Sequence, residues 1–154
     1  MLSDILLDFL NNGPAHLSYK DILDQIDPAV CAKKIPGSHT IWEELVHMTI
    51  AQEDIIRFTL EPDWQSPPWP EGYWPEPKYT VTPLEWKSMV ERFFSDLSRI
   101  SASIRNGNID LHEEIPHASG YTYIREILLL IDHNAYHIGK IMLLKKVFDE
   151  KSPV

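Results

Sequence analysis

His133-Asn134-Ala135-Tyr136-His137 sets two imidazoles four residues apart. On an α-helix that spacing projects both rings from one face, within reach of a single ion. Neutral imidazole nitrogen suits zinc, nickel and copper. Two histidines at this spacing also recur by chance, so the pair needs support from elsewhere in the chain. His47 lies on a different segment beside Glu44 and Ala51, off the centre of an apolar stripe, and taken alone reads as a surface or boundary histidine. No glutamate follows His133, so the His-Glu-x-x-His pattern of metalloproteases is absent and a protease mechanism is disfavoured.

The elements that must hold these residues are helical. Ile41, Leu45, Met48, Gln52, Ile55 and Thr59 recur at intervals of three and four. Thr40 and Glu43 form a capping box at the start of this helix, and Pro62 lies just beyond its end. Thr82-Pro83-Leu84-Glu85 opens a second helix, with a capping box and proline at the first helical position. Its stripe runs from Trp86 through Phe93, Leu97 and Ile100 to Ile104, and Asn106-Gly107-Asn108 ends it. A third helix spans about Tyr121 to Phe148, with Ile124, Leu128, Ile131, Ala135, Ile138 and Met142 on one face. Leu129, Leu130, Leu143 and Leu144 occupy its other faces, which predicts a central helix, the most buried of the set. The histidine pair falls opposite the stripe, on the face that carries Leu130 and Leu144. Imidazoles partly buried there need partners, and a shared metal ion is one way to supply them.

The first 35 residues read as a broken helix: an apolar run from Ile5 to Leu10, a stop at Asn12-Gly13-Pro14, a short segment from Ser18 to Ile26, and a last turn at Pro28. Three strong helices, one broken one and no alternating strand pattern predict an all-α fold, a four-helix bundle. At 154 residues the chain supports one domain, taken as 1–154. Residues 61 to 79 hold six prolines among Trp64, Trp69, Tyr73 and Trp74, so no helix survives there. So long a connection can cross the bundle, and the helices it joins need not be antiparallel neighbours. Its tryptophans either plug exposed core, wall a ligand pocket, or dock a proline-recognising partner.

Composition narrows the partners. A net charge of -9, with 14 Lys and Arg that gather nowhere beyond Lys33-Lys34 and Lys145-Lys146, disfavours nucleic acid. Cys31 is the single cysteine, which excludes an intramolecular disulfide and a cysteine-based zinc site. The acidic start Met1-Leu2-Ser3-Asp4 lacks the positive charge of a secretory signal, and no uninterrupted apolar run reaches membrane-spanning length, so a cytoplasmic protein with no membrane partner is expected.

Two segments, Ser38-His39-Thr40-Ile41-Trp42-Glu43-Glu44-Leu45-Val46-His47 and Ile131-Asp132-His133-Asn134-Ala135-Tyr136-His137-Ile138-Gly139-Lys140-Ile141, resemble the signatures of the DinB-like superfamily, which includes the YfiT-type metal-dependent hydrolases. Gly13-Pro14, the Trp/Pro-rich crossover and the stretch from Pro116 to Tyr123 fit the same pattern. The resemblance implies a four-helix bundle, often a homodimer, in which His47, His133 and His137 bind one divalent transition metal ion, nickel or zinc. It further implies a metal-dependent thiol transferase acting with a low-molecular-weight thiol on a small-molecule substrate. Lys140 stands where the family often has Gln. Three imidazoles would leave a tetrahedral ion one open position, suited to a thiol or a water. A hydrolase and a non-catalytic metal-binding stress-response protein remain alternatives, and no catalytic side chain is assigned. His39, His16, His112 and His117 read as turn or loop residues, Asp132 and Tyr136 as candidates to support the ligands, and Glu43, Glu44, Glu53 and Asp54 as a solvated acidic face.

Overall fold

The computed structural model describes residues 2–150. Helix α1 (Leu2–Asn12) is followed by the short α2 (Tyr19–Leu23) and a 3-10 turn at Pro28–Val30. Three long helices complete the bundle: α3 (Ile41–Leu60), α4 (Pro83–Arg105) and α5 (Tyr123–Glu150). Thr40 and Thr82 cap α3 and α4 through full capping boxes with Glu43 and Glu85. At the far end of α4, Gly107 N–H donates to Ile104 O and Asn108 N–H to Ser103 O, the paired bonds of a Schellman stop. Gly107 takes φ +68° there, a conformation that favours glycine. Gly13 (φ +56°) breaks the first helix, and a Cβ on it would meet the His16 ring at 2.2 Å.

Side-chain pairings set the helix directions. Glu53 meets Arg92, and one turn pair further on Glu61 meets Arg99, so α3 and α4 run parallel. Glu44 meets Lys140 while Gln52 meets Asn134, so α3 and α5 run antiparallel. Two parallel neighbours cannot be joined by a tight turn, which is why the segment between α3 and α4 must travel the length of the bundle.

The burial pattern corrects two expectations. The most enclosed helix is α3, in which every residue from Ile41 to Thr49 is buried, while α5 exposes Leu128, Leu129, Tyr136 and Leu143. The face that α5 turns to the core carries Ile127, Leu130, Asn134, Ile138, Ile141 and Leu144, not the stripe through Leu128 and Ala135. A helix apolar on all sides offers several stripes at helical spacing, and the buried one here is disguised by Asn134 and His137. A second departure is a small antiparallel hairpin, β1 (Glu114–Ile115) with β2 (Ala118–Thr122), leading into α5. By length and composition Tyr123–Asp149 would suffice to cross a bilayer, a test that the core helix of a bundle also passes.

Candidate metal centre

The antiparallel contact of α3 with α5 brings His47 opposite His133 and His137. One ligand atom from each of the three lies within 4.8 Å of the others. His133 Nε2 and His47 Nε2 are 3.3 Å apart. His47 and His137 are buried and His133 is partly so.

Two of the three rings have an orientation that can be read from their neighbours. His47 Nδ1 lies 2.8 Å from the Tyr73 carbonyl, which can only accept, so the proton is on Nδ1 and Nε2 keeps its lone pair. His137 Nδ1 lies 2.6 Å from Glu44 Oε2 and donates to it in the same way. Asn134, next to His133 in the chain, ends a relay of amides. The Phe93 carbonyl accepts from Gln52 Nε2 at 2.8 Å, which turns Gln52 Oε1 to accept from Asn134 Nδ2, also at 2.8 Å. Asn134 Oδ1 is therefore the end of that amide left free, and it and His133 Nδ1 are both buried with no hydrogen-bond partner. His47 and His137 thus direct Nε2 lone pairs into the cluster that His133 completes, and for these two an outer acceptor fixes the tautomer as it does for a metal-binding histidine.

Electrostatics point the same way. Burial, then the neighbouring His137 and His47, lower the pKa of His133 to about 4. Burial also lowers that of His47, against the opposing hydrogen bond to Tyr73. Burial alone would raise Glu44, but the His137 N–H and the Lys140 ammonium outweigh it and hold the carboxyl below its usual range. His47 and His133 held neutral, with an ionised Glu44 behind His137, fit a divalent cation. Zinc–nitrogen bonds of about 2.0–2.1 Å set tetrahedral donors about 3.3–3.4 Å apart, and the His47–His133 separation of 3.3 Å meets that spacing.

The Trp/Pro-rich crossover forms the outer wall. Trp74 is sandwiched between His47 (centroids 3.8 Å apart, planes at 3°) and His39 (3.8 Å, 15°). Asp54 anchors the loop, accepting from Trp64 Nε1 at 2.7 Å and from the Tyr73 hydroxyl at 2.6 Å. The loop and α5 enclose a cavity of about 520 Å³ over the histidines, lined by Trp69, Tyr73, Trp74, Leu129, Tyr136 and Lys140 among others. Of the readings open for this segment, the pocket wall describes it.

The residue profile of the DinB superfamily matches residues 18–141. The chain belongs to the DinB superfamily. No curated protein and no solved structure gives a match. In this DinB chain the two segments first picked out by sequence are the ones that meet: Glu44 and His47 from the first, His133 and His137 from the second.

The expectation of a solvated acidic face is corrected. Glu43 and Glu44 are buried, the first in its capping box and the second behind His137, while Asp54 is tied to the loop. Glu44 stands three residues before His47 and so shares its helix face, a signal available in the sequence. The Tyr73 carbonyl had none, since any residue type supplies one. Gln52, a member of the α3 stripe, is bonded instead to the Phe93 carbonyl and to Asn134. Tyr136 lies edge-on to His137, whereas Asp132 faces a different groove. Outside the site, His16 bonds the Leu17 carbonyl at 2.6 Å, His117 bonds the Phe58 carbonyl at 2.7 Å in the last turn of α3, and His112 donates its backbone N–H to Asp110. Cys31 is fully buried, and burial, with Asp27 adding to it, pushes its thiol up to about 12.

Proposed function

We propose that the chain is a metal-dependent thiol transferase in which His47, His133 and His137 hold one divalent transition metal ion, nickel or zinc. The observation that supports the reading best is the convergence of His47, His133 and His137, one ligand atom of each within 4.8 Å of the others, with Nδ1 of His47 committed to Tyr73 and Nδ1 of His137 to Glu44. His133 Nε2 stands 3.3 Å from His47 Nε2, a separation that one shared cation would bridge. Glu44 engages the far nitrogen of His137, so it orients that ring and leaves the cavity side open to a ligand. Bound there, the ion would supply Lewis acidity, making a thiol or water at its open position easier to deprotonate. The protein's own part is to hold three imidazoles, to wall them with Trp74 and Tyr73, and to offer a cavity for the second reactant. That cavity favours turnover over a purely structural site, which would be filled.

Cobalt-substituted protein tests the reading. Its visible spectrum is expected to change on adding a small thiol as sulfur enters the inner shell, and a spectrum indifferent to millimolar thiol would remove thiol transfer in favour of hydrolysis. As for assembly, the exposed Leu128 and Leu143 on α5 support a homodimer. A single 18 kDa species at micromolar concentration in sedimentation would exclude it. A cytoplasmic setting suits a reduced Cys31.

A further inference from the structure

Lys140 follows His137 by three residues on α5 and enters the same cavity. Its ammonium lies 2.5 Å from Glu44 Oε1 and 5.3 Å from the centre of the Tyr136 ring. An ammonium has three donors. That of Lys140 is ion-paired with Glu44 and lies over the Tyr136 face, and the side chain is still 33% exposed, so the ammonium stays open to the cavity. Among the described residues Lys140 is the one lysine or arginine in the lining. The carboxylate that shares the lining, Asp54, already accepts from Trp64 and Tyr73. Beyond these polar groups the wall is made by Trp69, Leu129, Ile55 and Ala51. Trp69 is 72% exposed, with its ring edge-on to Tyr73.

We infer that the cavity takes a small carboxylic acid with a flat apolar or aromatic body, its carboxylate held by Lys140 and its body laid against Trp69 and Leu129. The inference rests on the metal-site reading above and adds the ligand's class to it. Charge matters because a hydrogen bond from an ammonium to a carboxylate outweighs one to a neutral amide. The apolar body matters because an exposed indole gains from being covered.

Zinc-loaded full-length protein, its zinc content measured first, is titrated calorimetrically with 2-mercapto-3-phenylpropanoate, with the primary amide of that acid, and with 2-mercaptopropanoate, which lacks the ring. The amide and the ringless acid are each expected to bind at least about tenfold more weakly. Lys140→Gln should abolish the preference for acid over amide, and Lys140→Arg should keep it. Acid and amide binding equally, or a preference that survives Lys140→Gln, would overturn the role of Lys140. Equal binding of the ringless acid would overturn the apolar body. If Lys140→Gln fails to fold or to hold zinc, the acid–amide comparison on unsubstituted and Lys140→Arg protein decides. Protein that retains no zinc overturns the metal reading itself, a result distinct from intact zinc with no ligand preference.

Discussion

Two concavities flank α5. One is the histidine cavity of about 520 Å³ against α3, and the other is a groove of about 660 Å³ against α1, lined by Leu2, Ile5, Phe9, His16, Ile124 and Leu128 among others. The groove is larger and more uniformly apolar, yet its polar atoms do not converge: His16 is turned to its neighbour's carbonyl and Asp132 is exposed. The smaller cavity has three converging imidazoles, two of them oriented from behind by the Tyr73 carbonyl and by Glu44. Size marks where apolar surface can be covered, while convergence of oriented polar groups marks where chemistry can occur. The two concavities should therefore respond differently to substitution.

The largest difference is expected from the ligands. His133→Ala with His137→Ala should reduce bound metal from about one equivalent to near zero in elemental analysis, with helical circular dichroism retained. Full metal occupancy in that variant would end the assignment. Next comes the support behind the ligands. Glu44→Ala removes the carboxylate that accepts from His137 Nδ1 and frees Lys140, and it should weaken metal binding by about 10–100-fold in competition with a chelator. An unchanged affinity would show that His137 is oriented by packing alone.

How far this contrast could be read from sequence depends on what each part is made of. The helices were legible because Thr40-x-x-Glu43 and Thr82-Pro83-x-Glu85 mark their starts chemically and the structure forms both boxes. The His133–His137 pair was legible because spacing alone places both rings on one face. The identity of the buried helix was not, since α5 is apolar on every side and only tertiary contact chooses among equivalent stripes. The burial of Glu44 escaped notice because a glutamate beside other acids usually faces water, and only the imidazole behind which it sits reverses that cost. The short hairpin before α5 was hidden by its length, as two to five residues carry too little alternation to read.

A third expected difference concerns pH in the metal-free protein. His133 has its pKa lowered to about 4 by burial and by His137 and His47, while an unfolded histidine titrates near 6.5. Between those values the unfolded chain binds the extra proton, so stability is fully present above pH 6.5 and falls as pH drops toward 4. The other groups facing this ring are His47, lowered in the same direction, and Glu44, itself lowered and so also losing its contribution in acid. For His133 the loss amounts to about 3 kcal/mol across the window. Urea denaturation at several pH values would measure it, and a flat profile between pH 6.5 and 4 would show that the ring is not held neutral. His133→Gln should flatten the slope, whereas substitutions in the groove should not.

The smallest effect on the fold should come from the groove itself. Leu128 is 51% exposed, so Leu128→Ser removes little apolar surface that is already covered within one chain. Its cost to the isolated chain should stay within about 0.5 kcal/mol. Metal content and thiol-induced spectral change should be unaltered, because Leu128 lines the groove and not the histidine cavity. Association should respond if a second copy covers this face, since the apolar area that matters is then the area buried between chains. Sedimentation equilibrium on Leu128→Ser and unsubstituted protein separates these cases. A weaker dimer with intact metal assigns the groove to assembly and the cavity to chemistry, and a loss of metal would mean that the two sides of α5 are coupled through the helix and the contrast between them does not hold.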